Sequence, residues 1–182
     1  MELSGDELAG IVDQFGALSP AELRRAIRET AFRAGVDLEE STIDDWIDGA
    51  EADFSLLTVD LDGEALVVPG PRAFPDAPEA ASDLPHVMDV DRRSVPVDAL
   101  ESGLRNRLAA ATAELEEGAT AIEKRLEERE KAGTGIEDGP GGIEESDRAR
   151  ELIDVTYDAE AWADIDLGDV RDRLSGLAEQ ES

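Results

Sequence analysis

One imbalance limits what this chain is able to form. Forty-six Asp and Glu stand against 17 Lys and Arg, a formal net charge of −29 over 182 residues. In dilute buffer, charge of one sign repels itself and opposes compaction. At molar salt the Debye length falls to about 3 Å and that repulsion is largely screened. Only Lys124 and Lys131 are lysines, and the other 15 bases are arginine. High net charge with few aromatics is also a signature of disorder. Here, however, 41% of residues are hydrophobic, and much of that content is periodic. The expectation is a folded protein adapted to a salt-rich interior.

The same inventory excludes most chemistry. There is no cysteine, which removes disulfides, thiolate metal sites and cysteine nucleophiles. The single histidine, His86, lies in a proline-rich stretch, and one histidine without cysteine does not make a nitrogen/sulfur metal site. No glycine-rich phosphate loop and no nucleophile elbow is present. Asp164, Asp166 and Asp169 around Gly168 loosely resemble a calcium loop. The glycine, however, comes one residue early, and Ser175 stands where a Glu is needed, so a solvated acidic turn is expected. No catalytic residue, metal or cofactor is therefore assigned. No basic start with an apolar core marks a secretory signal, and no apolar run approaches the ~18 residues that cross a bilayer. The expected setting is cytoplasmic, without a membrane partner.

The N-terminal third is punctuated clearly. Ser4 with Glu7, and Ser19 with Glu22 behind Pro20, read as capping boxes that open two helices. Leu8, Ile11, Val12 and Phe15 share one face of the first helix. Leu23, Ala26, Ile27, Thr30 and Ala31 share a face of the second, with Phe32 at its edge. A third helix is expected from Ser41, presenting Ile43, Trp46, Ile47, Ala50 and Phe54. The period then changes: Leu56–Val59 and Ala65–Val68 flank Asp62-Gly63, a turn pair in which glycine accepts positive φ at no steric cost.

Three helices followed by a hairpin over residues 1–71 resemble the winged-helix superfamily in order and spacing. That resemblance implies a helix-turn-helix made by the second and third helices, with the hairpin as the wing. The acidic, lysine-poor composition is the pattern of proteins from salt-accumulating archaea. The segments Asp6–Val12, Phe15–Leu18, Val68–Pro71 and Asp83–His86 are similar to a family of uncharacterised haloarchaeal proteins, a resemblance that implies no known activity.

Beyond this domain, residues 72–96 read as a Pro/acid-rich bridge that packs on it through Phe74, Leu84 and Val87 or Met88. Residues 97–132 read as one long amphipathic helix of coiled-coil character. Its stripe of Leu104, Leu108, Leu115, Ile122 and Leu126 is a candidate partner or dimer seam, with packing inside the chain against the C-terminal helices as the alternative. Residues 133–145 form a Gly-rich linker by composition, and residues 146–182 carry short C-terminal helices, the first opening at Ser146. The expected fold class is thus mainly α, a winged-helix-like domain followed by a long helix and short helices.

Function divides on the third helix. A DNA reader would present donors there, yet residues 37–53 carry eight acids and no base. The one arginine cluster, Arg24, Arg25, Arg28 and Arg33, is a candidate docking patch. Its alternative is local pairing with Glu22 and Glu29, and Arg92-Arg93 reads as ordinary surface. The leading expectation is a non-enzymatic adaptor or regulatory protein that works through a protein partner or homodimer. The alternative is a DNA-associated transcriptional regulator of the winged-helix type. Nucleic acid is disfavoured by the acidic third helix.

Overall fold

The computed structural model describes residues 2–131 and 141–179. Among them are seven α-helices and one two-stranded antiparallel hairpin, a mainly helical architecture. The chain divides into two compact units, Met1–Leu104 with Ala161–Asp164, and Arg105–Glu160 with Ile165–Ser182.

In the first unit, α1 (Gly5–Asp13) and α2 (Pro20–Arg33) open on complete capping boxes. The Ser4 hydroxyl accepts from the Glu7 amide and the Ser19 hydroxyl from the Glu22 amide, while each glutamate accepts from the amide of its serine. α3 (Glu40–Ala52) starts earlier than Ser41 and has no side-chain cap: the Thr42 and Ile43 amides donate to the Glu39 carbonyl. Leu38, packed against the core, fixes where the chain enters this helix, so an apolar anchor overrides the polar start signal. Phe54 also lies outside the helix. It is buried just past the end with φ 65°, a left-handed conformation that costs a bulky side chain energy and persists only because packing holds it.

The hairpin pairs β1 (Leu56–Leu61) with β2 (Glu64–Pro69) in the register Leu61↔Glu64 to Leu56↔Pro69. Asp62 and Gly63 both have positive φ, as a two-residue turn of the primed type requires. Leu18, between α1 and α2, adds a single bridge to Val67: its amide donates to the Val67 carbonyl at 3.0 Å, and the Val67 amide returns a bond of 2.7 Å. The core joins Leu8, Ile11, Val12 and Phe15 of the first helix and its end to Leu23 and Ile27, Ile43 and Ile47, and Leu56 and Val67.

The proline-rich segment after the hairpin is folded onto this core. A 3₁₀ turn (Glu79–Ala81) and the short α4 (Leu84–Val87) bury Ala81, Leu84 and Met88. Of the expected anchors Phe74 is exposed instead, and of the alternatives Val87 and Met88 it is Met88 that is buried. The segment is pinned at both ends. Near its start, the Phe74 amide donates to Asp6 Oδ1 at 2.8 Å and the Asp76 amide to the Asp6 carbonyl at 3.1 Å. Gly10 on α1 leaves room for this approach, since a Cβ there would stand 2.2 Å from the Ala77 nitrogen. At its far end, Arg92 and Arg93 close on the exit of α1. The opening residues of α5 (Val97–Lys131) pass β1 so closely that a Cβ on Gly103 would meet Val59 Cγ1 at 2.7 Å.

The second unit has its own buried set: Leu108, Ala111 and Thr112 of α5, Ala149, Leu152, Val155, Thr156 and Ala159 of α6 (Gly141–Trp162), and Leu174 of α7 (Gly168–Glu179). α6 begins at Gly141, five residues ahead of Ser146, so the last two glycines of the expected linker lie inside the helix. The remainder of the expected linker, residues 133–140, lies outside the described residues. Arg171 of α7 ties this unit together. Its Nε donates to Thr156 Oγ1 at 2.9 Å, its Nη2 lies 2.6 Å from Glu160 Oε1, and its guanidinium carbon stands 4.0 Å from the Tyr157 ring centre.

Candidate functional site

The arginines of α2 occupy two different situations. Arg24 Nε meets Asp44 Oδ1 at 2.7 Å, and Arg28 Nη1 meets Glu40 Oε1 at 3.3 Å, so both reach across to the acids of α3. Arg33 holds Asp83 at 3.0 Å and Glu29 at 3.3 Å, and those two carboxylates push its guanidinium further up. Arg25 is exposed and forms no ion pair among the described residues. Local pairing with Glu29 therefore holds for Arg33 alone. Glu22 is committed elsewhere, and the Asp83 contact joins residues 50 apart, beyond the reach of a helical-spacing argument.

Glu22 is the most perturbed carboxyl among the described residues. Arg93 grips it with both terminal nitrogens, Nη1 to Oε2 at 2.5 Å and Nη2 to Oε1 at 2.9 Å. The bonds from Arg93, together with those of the Ser19 amide and hydroxyl and against the opposing effect of burial, lower this carboxyl from 4.5 to about 2. Arg93 Nη1 also donates to the Ala17 carbonyl, and its amide to the Phe15 carbonyl at 2.7 Å. Arg92 Nη1 donates to the carbonyls of Asp13 at 2.7 Å and Gln14 at 3.0 Å, placing a cation at the negative end of α1. Arg92-Arg93 is thus a structural clamp and not the ordinary surface expected. The available clue was two adjacent arginines in a chain with so few bases.

A cleft of about 370 Å³ opens beside this clamp, lined by Asp13, Arg93, Ser94, Leu100 and Trp162 among others. Its cation is already bound by Glu22. Among the described residues no three His, Asp or Glu side chains gather as a metal site, and no helix is long and apolar enough to cross a membrane. In the calcium-like turn, Asp169 is held by Arg105 at 3.0 and 3.1 Å, which lowers its carboxyl. The Gly168 amide donates to Asp166 Oδ1 at 3.0 Å, and Arg105 also bonds the Asp166 carbonyl.

The apolar stripe of α5 is spent inside the chain where it starts: Leu104 and Leu108 are fully buried. At those two positions the expected partner or dimer seam faces inward. Leu115 is half-buried, and the side chains of Ile122 and Leu126 lie outside the described ones.

A family model described as a family of unknown function, DUF7109, matches residues 6–179. The chain belongs to this DUF7109 family. No curated protein and no solved structure gives a significant match. The surfaces of this DUF7109 member differ sharply in charge. α3 is wholly acidic in its charges, and α2 beside it carries the exposed Arg25, Arg28 and Phe32.

Proposed function

We propose that this DUF7109 protein is a non-enzymatic adaptor or regulatory protein of a salt-adapted, haloarchaeal-type cell. It acts through protein–protein contact on a winged-helix-like N-terminal scaffold. The element order α1–α2–α3–β1–β2 supports the scaffold reading, as does the bridge that ties Leu18 to the hairpin. The observation that carries the functional reading is the charge of α3. Glu40, Asp44, Asp45, Asp48 and Glu51 leave it net anionic, and two arginines that would offset them for a phosphate backbone, Arg24 and Arg28, are already engaged with Asp44 and Glu40. The hairpin turn adds Asp60, Asp62 and Glu64. Phosphate neutralisation supplies most non-specific nucleic-acid affinity, and this surface opposes it.

A second reading, a DNA-associated regulator, is favoured by Arg25, which has no counter-ion among the described residues. Crosslinking in the native host at its own salt separates the two. A flat genomic profile with a reproducible protein partner in the same material supports protein contact. Discrete genomic peaks that vanish on Arg25→Ser/Arg28→Ser make the protein a DNA-associated regulator. Arg24 is left intact in that variant because it anchors Asp44.

A further inference from the structure

We propose that the outer face of α2, built from Arg25, Arg28 and Phe32, is the docking surface for an acidic protein segment that carries an apolar side chain. The inference deepens the protein-contact reading and rests on it. Spacings of three and seven place the three residues on one helical face, and all three are exposed.

Charge singles the face out. In a chain of net charge −29, α2 has four arginines against two glutamates, whereas α1, α3, α5, α6 and α7 are each net negative. Of the four, Arg24 and Arg33 are committed to carboxylates of the fold. Arg25 is unpaired, and Arg28 shares Glu40 while half of its side chain faces water. Next along the stripe stands Phe32, 75% exposed, while Phe15 and Phe54 are buried. Arginine beside an aromatic is the composition that concentrates binding energy at protein interfaces. Two guanidinium forks select carboxylates, and the ring selects an apolar neighbour.

Nucleic acid fits this face less well. A base stacks on an aromatic ring, but its phosphates would approach arginines beside Glu40 and Asp44 of α3, which lie against Arg28 and Arg24. In molar salt, moreover, attraction survives only at contact range. A short peptide brings one or two carboxylates to Arg25 and to the water-facing side of Arg28, with far less charge to carry past Glu40 than a phosphate backbone has.

The test places the photo-crosslinking residue benzoylphenylalanine at position 32 in the full chain, expressed in its native cell, with parallel substitutions at Phe74 and Tyr157. All three positions are exposed, at 75%, 82% and 54%, and an aromatic ring is kept at each, including the ring of position 157 beneath Arg171. The expected result is a protein crosslink at position 32 that maps to a partner peptide with acidic residues around an apolar one. Its yield should fall about tenfold or more on Arg25→Ser/Arg28→Ser, as loss of one strong contact requires. A crosslink from position 32 to nucleic acid overturns the proposal. So does a partner peptide without acids, or a yield indifferent to the arginines. Protein crosslinks at 74 or 157 alone overturn this surface and leave the protein-contact reading standing. No protein crosslink at any of the three positions removes both.

Discussion

Replacing Arg93 with Gln takes the guanidinium from Glu22 but keeps the Arg93 amide on the Phe15 carbonyl. In the native fold the Glu22 carboxyl lies at about 2, against an ordinary 4.5. Counted in full, that lowering corresponds to about 3 kcal/mol at 25 °C. The side chains of Arg93 and Glu22 are 30% and 24% exposed, so solvent screening reduces the contribution of the pair to about 1–2 kcal/mol. The sign follows from proton binding. Between pH 4.5 and 2 the unfolded chain holds the Glu22 proton and the folded chain does not. The stabilisation is therefore complete above about pH 4.5 and is lost as the pH falls towards 2. Urea unfolding of wild type and Arg93→Gln in the same concentrated KCl should differ by about 1–2 kcal/mol at pH 7, and the difference should shrink as the pH drops below 4.5. In a carbon-detected titration, the Glu22 carboxyl of the variant should move up towards its ordinary value but stay below it, because the Ser19 amide remains bonded to it. Arg93→Lys should recover only part of the loss, since an ammonium cannot make the two-pronged contact. A stability difference constant from pH 7 to 3, or a wild-type Glu22 that titrates at its ordinary value, would refute the reasoning.

Three further outcomes are expected. Leu84→Ala, fully buried in the segment that follows the hairpin, should cost about 2–5 kcal/mol in denaturant unfolding; a loss below 1 kcal/mol would mean the segment is not part of the core. Leu108→Glu should lower the helical circular dichroism and cost about 3–5 kcal/mol while leaving the native mass unchanged. A fall in native mass with helicity intact would place Leu108 against another chain. Melting temperature should rise with KCl from 0.1 to 2 M as the net charge is screened, by about 2–4 °C for each kcal/mol recovered; a flat or falling curve would argue against salt adaptation.

Local chemistry made much of the fold legible. The two serine caps each needed a partner only three residues away, and the hairpin turn was decided by Asp62 and Gly63 themselves. Period carried the buried faces of α1 and α2, because a helix buries what repeats. What the sequence concealed was settled at long range. Leu38 moved the start of α3, and packing drew Phe54 out of the helix. Arg93 shows no local sign that it belongs to Glu22, 71 residues away. The arginine cluster of α2 was legible, but not which of its members are committed, because the counter-ions Asp44, Glu40 and Asp83 come from other elements. Leu104 and Leu108 at the start of the α5 stripe are buried; whether such a face turns inward or outward is not encoded in its period.

The pinned segment between the hairpin and α5 also dictates an order of assembly. Its side-chain bonds to Asp6, Asp13, Gln14, Ala17 and Glu22 join residues 68 to 79 apart. Closing so long a loop is unfavourable until both ends have a formed surface to meet. The three helices and the hairpin must therefore come together first, with the sites for Ala81, Leu84 and Met88 still open. On a ribosome, the nascent domain carries that uncovered apolar groove until Arg93 has emerged and closed over it.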